Sequence, residues 1–255
     1  MIKRFIAGMV SITVVLVAWA VLPQILGIST LVWPPLGVVL ERGWEARSVL
    51  FEEGLYTFGA TAIAIASAFA AAIGLSIVAF WFPALHAILE PLIVAGQALP
   101  KVVLIPLLFL LISYDIMPGI LVGALIAFFP IFTNVRFAIE TIPLGLRELA
   151  TVWRYGKGLY LKEIAIPFST PVAANTIKLA WIYALIGVIS AELLRPNAGI
   201  GYLLNEAQAR IDGPLFYAAA TVSLLIAMIG WTTGSLLDWY ARRRFRLERT
   251  SEPIG

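Results

Sequence analysis

Apolar residues come in long runs with short polar stretches between them. The first run follows Lys3-Arg4 and lasts from Phe5 to about Leu26. Pro23-Gln24-Ile25-Leu26 stands where a signal peptide would carry a small-x-small cleavage site, so an uncleaved span over 5–26 is predicted. Later runs predict spans over 55–82, 86–112, 118–134, 172–194 and 215–237, six in all. The second is rich in Ala, Ser and Gly between Ala62 and Gly74, which lets helix backbones approach closely in lipid. The third is interrupted by Pro91, Pro100 and Pro106 and places Glu90, Gln97 and Lys101 on one helical stripe. Ser113-Tyr114-Asp115 predicts a tight turn into the fourth.

The polar stretches differ in kind. Residues 29–54 open on Trp33-Pro34-Pro35, which cannot lie inside a helix. They continue with apolar and charged residues around Trp44 in a pattern that fits either an amphipathic helix at the membrane surface or a solvated connector. A longer interruption covers 136–170 and another 195–214, and the chain closes on a basic cluster at 242–246.

Composition agrees with the runs. The 255 residues are 61% hydrophobic and 13% charged, with mean hydropathy +0.94. Soluble domains carry about 25% charged residues, so so much apolar side chain points to a polytopic, all-α membrane protein with one transmembrane domain over 1–255. No cysteine and a single histidine, His86, exclude thiolate chemistry, Cys-based metal sites and His-rich metal sites.

With six spans both termini share a side. That side carries thirteen Lys and Arg residues, the other four, with Lys101 inside a span. Positive charge favours the cytoplasmic face, so both termini and the 136–170 loop are expected inside a bacterial inner membrane.

Within that loop Pro143 and Gly145 precede Arg147-Glu148-Leu149-Ala150-Thr151-Val152-Trp153-Arg154. This predicts a helix of about two turns presenting Leu149, Val152 and Trp153 beside Arg147, Glu148 and Arg154, with Gly156 and Gly158 turning the chain back. Such a helix suits docking into a partner's groove; an ordinary solvated loop fits the spacing equally.

The residue pattern resembles the EAA loop of binding-protein-dependent ABC importer permeases. Glu148-Leu149-Ala150 stands for Glu-Ala-Ala, and Ile164-Ala165-Ile166-Pro167 follows at the expected distance. Leu149 replaces the first Ala, and Arg154 occupies the usual Gly position, which leaves Gly156 or Gly158 to make the turn. Further segments are similar to the nitrate/sulfonate/taurine branch: Trp33-Pro34-Pro35-Leu36, Ala98-Leu99-Pro100-Lys101, Phe128-Phe129-Pro130 through Asn134, and Ala191-Glu192-Leu193-Leu194 before Gly199-Ile200-Gly201-Tyr202-Leu203. Ala64 falls where that branch often has Arg.

The resemblance implies a six-helix permease of the type I importer kind, working as a homodimer around a solute path. An ABC ATPase dimer would bind the EAA loop, and an extracytoplasmic binding protein would deliver solute. The permease itself would be no enzyme and bind no cofactor; ATP and Mg²⁺ belong to the ATPase, in keeping with the lack of a phosphate-binding Gly-x-x-x-x-Gly-Lys-Ser/Thr motif. Arg147, Glu148, Leu149, Ala150, Val152, Trp153, Arg154 and Gly156 are the expected coupling residues.

Gln97, Lys101, Asn134 and Glu192 are candidates for the path or its gate. Each has a plainer reading. Lys101 can pair with Glu90 or Glu192, or snorkel; Gln97 and Asn134 can be hydrogen-bonding glue between helices; Glu192 can pair with Arg195. Residues 242–246 are expected at anionic lipid headgroups rather than nucleic acid. Two rival functions stand beside it: an intramembrane enzyme, for which Ser67 and Ser76 are present but the only histidine lies far along the chain at an interface, and a stand-alone secondary transporter or channel, though no internal repeat supports it.

Overall fold

The computed structural model describes residues 2–112, 116–194 and 197–245. The expected turn at 113–115, Arg195, and the basic residues from Arg246 onward lie outside them. The described residues are helical, without strands: α1 (Ile2–Ile25), α2 (Leu36–Glu45), α3 (Arg47–Trp81), α4 (Pro83–Ala98), α5 (Leu104–Leu111), α6 (Met117–Glu140), α7 (Leu144–Val152), α8 (Lys157–Tyr160), α9 (Ile166–Leu193), α10 (Ile200–Ala209) and α11 (Gly213–Phe245). A 3₁₀ turn, Lys101–Val103, precedes α5, and a π turn, Leu161–Ala165, joins α8 to α9.

Four stretches are long and apolar enough to cross a membrane: Arg47–Trp81, Met117–Glu140, Lys157–Leu193 and Gly213–Phe245. The α4–α5 pair makes a fifth if counted as one span, and α1 contains a shorter apolar stretch, Leu16–Ile25. Against six expected spans, the described residues therefore supply four or five by length and composition. The third expected span is not straight. It bends by 79° between Ala98 and Lys101, where Leu99 is extended (φ −68°, ψ 130°). Pro100 is the cause: its ring disfavours helical backbone at the preceding residue.

The chain divides into two compact units. Unit 1 comprises 1–56 and 192–225; unit 2 comprises 57–191 and 226–255. In unit 1, α2 is a real helix, separated from α3 only by Ala46. The helix of the second span thus begins at Arg47, eight residues earlier than its apolar run suggests. Val39 and Leu50 are buried while Trp44 is exposed beneath the Arg47 guanidinium, 4.8 Å from its ring centroid. Arg42 donates to Asp212 at 2.9 Å. That hydrogen bond and the carboxylate's charge raise the guanidinium above its ordinary pKa and tie α2 to the start of α11.

Unit 2 is held by small residues at helix crossings. A Cβ on Gly187 would lie 2.7 Å from the Gly123 Cα, so α6 and α9 meet backbone to backbone. Ala64 of α3 joins this crossing: a Cβ on Gly123 would stand 3.2 Å from the Ala64 Cβ. An arginine in place of Ala64 has no room there. Farther along, Gly230 accommodates the Trp181 indole, whose Nε1 donates to the Ile226 carbonyl at 3.1 Å. Lys178 lies inside α9 and pairs with Asp238 of α11 at 3.0 Å, both side chains largely buried. Each charge is compensated at a depth where an isolated one is costly.

Candidate functional site

The predicted coupling segment forms α7 and the reversal after it. Pro143 opens α7 without a side-chain cap. A proline there supplies the right entry angle and loses no needed donor. Ala150 is the one buried residue of the helix. It packs with Ile142, Ile164 and Ala165, flanked by Tyr155, Tyr160 and Phe168. The small side chain is what lets α7 lie against the π turn. All other α7 faces are open: Leu149 is 50% exposed, Val152 78% and Trp153 68%. Arg147 and Glu148 are exposed beside them, and Arg147 Nη2 donates to the Glu140 carbonyl.

The reversal corrects one expectation. Neither Gly156 nor Gly158 makes the turn: Gly156 is extended (φ −68°, ψ 160°) and Gly158 lies within α8. Arg154 itself adopts the left-handed conformation, φ +51°. Its N–H donates to the Thr151 carbonyl at 3.0 Å, and the Tyr155 N–H donates to the Ala150 carbonyl at 2.8 Å. This is a Schellman motif, which satisfies the last carbonyls of α7. The family pattern has Gly where the backbone needs positive φ, and this chain keeps the geometry with a residue that tolerates it less well.

Three of the four path candidates converge in unit 2. Gln97, Lys101 and Asn134 line one pocket of about 400 Å³ with Phe129, Thr133 and Tyr183. Gln97 Nε2 donates to Thr133 Oγ1 at 3.0 Å, and Asn134 Nδ2 to Thr176 Oγ1 at 3.2 Å. Lys101 Nζ donates to the Gln97 carbonyl at 2.8 Å and lies 4.7 Å from the Phe129 ring centroid. A backbone oxygen and a ring face thus hold the ammonium. Both amides bridge helices while keeping an edge on the pocket.

Glu192 is not in that pocket. It sits in unit 1, only 3% exposed, where its Oε2 accepts from the Gly201 N–H at 3.0 Å. Glu53 Oε2 accepts from the Gly199 N–H. Two carboxylates therefore grip the first turn of α10, where unpaired N–H groups and the helix dipole favour negative charge. Gly199 has φ +96°, and a Cβ there would fall 2.2 Å from the Glu192 carboxyl carbon. Burial, and next a hydrogen bond to Glu206, raise the Tyr202 phenol above its ordinary pKa. Sequence reasoning missed Glu53, whose place in an amphipathic alternation gave no sign of this role. It also left Asp238 unassigned, although an acid inside a terminal apolar run was a signal.

Comparison with known proteins fits this arrangement. The formylaminopyrimidine transport permease protein ThiX of Halalkalibacterium halodurans is 25% identical over 223 residues, covering 88% of this chain and 89% of that one. The riboflavin transport system permease protein RibX of Chloroflexus aurantiacus is 28% identical over 231 residues, covering 90% and 86%. The nitrate import permease protein NrtB of Synechococcus elongatus matches over 155 residues at 25% identity. Among solved structures, a chain of the MetNI methionine ABC transporter superposes with a TM-score of 0.63 at 16% identity, covering 79% of this chain and 97% of that one, a likeness of fold. The family model for the inner membrane component of binding-protein-dependent transport systems matches residues 68–246. With its apolar helices and its relatives in agreement, this chain belongs to the family of binding-protein-dependent transport system inner membrane components.

Proposed function

We propose that this chain forms the membrane path of an ATP-driven importer, two copies packing around one passage. A cytoplasmic ATPase dimer grips α7, and an extracytoplasmic binding protein delivers the solute. ATP and Mg²⁺ are bound and used by the ATPase; this chain binds no cofactor. Both termini and α7 face the cytoplasm of a bacterial inner membrane. The observation that carries this reading is α7 itself: Leu149, Val152 and Trp153 stand exposed beside Arg147 and Glu148, on a helix fixed from behind by Ala150. Apolar and charged groups together on a rigid, projecting helix form a surface that lacks its other half.

The coupling follows from that anchorage. Ala150, Ile142 and Ile164 form one cluster, so a force on α7 reaches the end of α6 and the start of α9 together. ATP-driven closure of the ATPase favours one packing of these helices and hydrolysis releases it. Gln97, Lys101 and Asn134 line the passage, while Glu192 holds α10 within unit 1. The pocket offers amide edges, one cation and the rings of Phe129 and Tyr183. That chemistry suits a small planar solute rich in hydrogen-bonding groups. Two relatives named for formylaminopyrimidine and riboflavin support a nitrogen heterocycle.

The test is uptake into vesicles containing the permease, its ATPase and its binding protein. Uptake requires ATP, and Glu148→Lys lowers it by about 100-fold, the scale expected for a misplaced charge at an interface. The variant melts at the parent temperature because Glu148 is exposed. Uptake by the permease alone, driven by an ion gradient, would instead identify a stand-alone transporter.

A further inference from the structure

Unit 2 contains a second cavity that the passage does not use. It measures about 370 Å³, within the range of small-ligand sites. Its walls come from α3, α6, α9 and α11, with Phe69, Ile73, Ile139, Ile177 and Leu237 supplying an apolar lining. Its polar groups are Ser76 of α3, Ser169 and Thr170 of α9 and the exposed Tyr240 of α11. The cavity is therefore amphiphilic rather than uniformly oily.

The end of α11 sets its level in the membrane. Trp239 and Tyr240 are both exposed, as aromatic residues at the headgroup boundary are. Arg242, Arg243 and Arg244 follow within one turn. Two of these cations are engaged. Arg242 donates to Asp238 at 2.8 Å, and the Arg243 guanidinium lies 5.2 Å from the Trp239 ring centroid. Arg244 has no carboxylate partner among the described residues, and it is exposed. It follows Leu237 by seven residues, Tyr240 by four and Ala241 by three, all of which line the cavity, so it shares their helix face one turn onward.

An acyl-sized apolar cavity, hydroxyls at its side, an aromatic belt and then an uncommitted cation match the parts of a phospholipid in order. We infer that the cavity holds one acyl chain of an anionic phospholipid whose phosphate pairs with Arg244. Charge complementarity selects the anionic class. The site also adjoins the coupling segment: Leu161 of the π turn and Ile166 line it, and Ile139 lines both this cavity and a polar pocket beside Arg147, Ala150 and Thr151. A bound lipid thus stiffens the region where α7 is anchored, a consequence that rests on the lever proposed above; the binding itself does not.

Native mass spectrometry of the assembled transporter, after exchange into mixed phosphatidylglycerol and phosphatidylethanolamine, tests the binding. Phosphatidylglycerol is expected to survive delipidation in preference to phosphatidylethanolamine. Thr170→Phe fills the cavity and removes the retained lipid. Arg244→Gln weakens retention about five-fold, the worth of one basic side chain near an anionic surface. Melting temperature and ATPase-subunit content verify that both variants assemble. Equal retention of the two lipids overturns the inference, as does undiminished phosphatidylglycerol in either assembled variant. Lipid lost from the variants with uptake unchanged would leave the binding intact and overturn only its link to coupling.

Discussion

Two short helices in this chain are built alike and buried differently. α7 has nine residues and α10 has ten. Both end in a Schellman motif with a non-glycine residue at positive φ, Arg154 at +51° and Ile211 at +57°. In α10 the closing bonds run from the Ile211 N–H to Gln208 and from the Asp212 N–H to Ala207, at 3.2 and 2.8 Å. The difference lies in what meets their apolar faces. α10 buries Ile200, Leu203 and Ala207 and is held at its start by Glu53 and Glu192. α7 buries Ala150 alone and leaves Leu149, Val152 and Trp153 exposed. An amphipathic helix whose apolar face is filled by its own chain is a structural part. One whose face stays open within a rigid anchorage is half of an interface.

That contrast is sharpest in a pair of truncations. Leu203→Ala removes a side chain 3% exposed and costs the fold about 2–4 kcal/mol, read from denaturant unfolding in detergent. Trp153→Ala leaves the fold unchanged but weakens ATPase association by about 2 kcal/mol, roughly thirty-fold in Kd, as interface tryptophans do. The comparison breaks if Trp153→Ala unfolds the permease or leaves association untouched. A smaller effect is expected at the glycines. Gly199→Ala drives a Cβ into the Glu192 carboxylate and destabilises by about 2 kcal/mol, whereas Gly145→Ala in α7 meets open space and is near neutral. Thermal melts of the two variants side by side show whether the grip on α10 is as tight as its geometry. The smallest effect is a gain. Arg154→Gly relieves left-handed strain and raises stability by up to about 1 kcal/mol, and Ile211→Gly does the same in α10. If neither melt rises, the strain is absorbed elsewhere.

Much of α7 was legible in the sequence because its signals are local. A proline at the start, an Ala-containing amphipathic turn and the downstream Ile164–Pro167 pattern define α7 without reference to distant residues. The position of the reversal was misread because glycines attract such assignments. Here two hydrogen bonds fix positive φ at Arg154, and Gly156 and Gly158 are ordinary. The path candidates were legible as polar residues in apolar runs. Gln97 and Lys101 shared a predicted stripe, but that Asn134 lines the same pocket was not legible: it depends on the packing of α4 on α6, close at Gly96, where a Cβ would fall 2.6 Å from Phe129.

The chain's hydrophobic length and spacing by themselves determined an all-helical membrane protein, because burial in lipid and the backbone's need for internal hydrogen bonds act residue by residue along the sequence, and the residue motifs around Glu148 and Pro167 pointed to its family. Tertiary structure alone decided which acids and cations are partners. Glu192 binds the α10 backbone, Lys178 neutralises Asp238, and Lys101 rests on a carbonyl and a ring. Side chains far apart in sequence become neighbours only once helices cross, and the crossing geometry is set by small residues such as Gly123 and Gly187, whose partners no local pattern reveals.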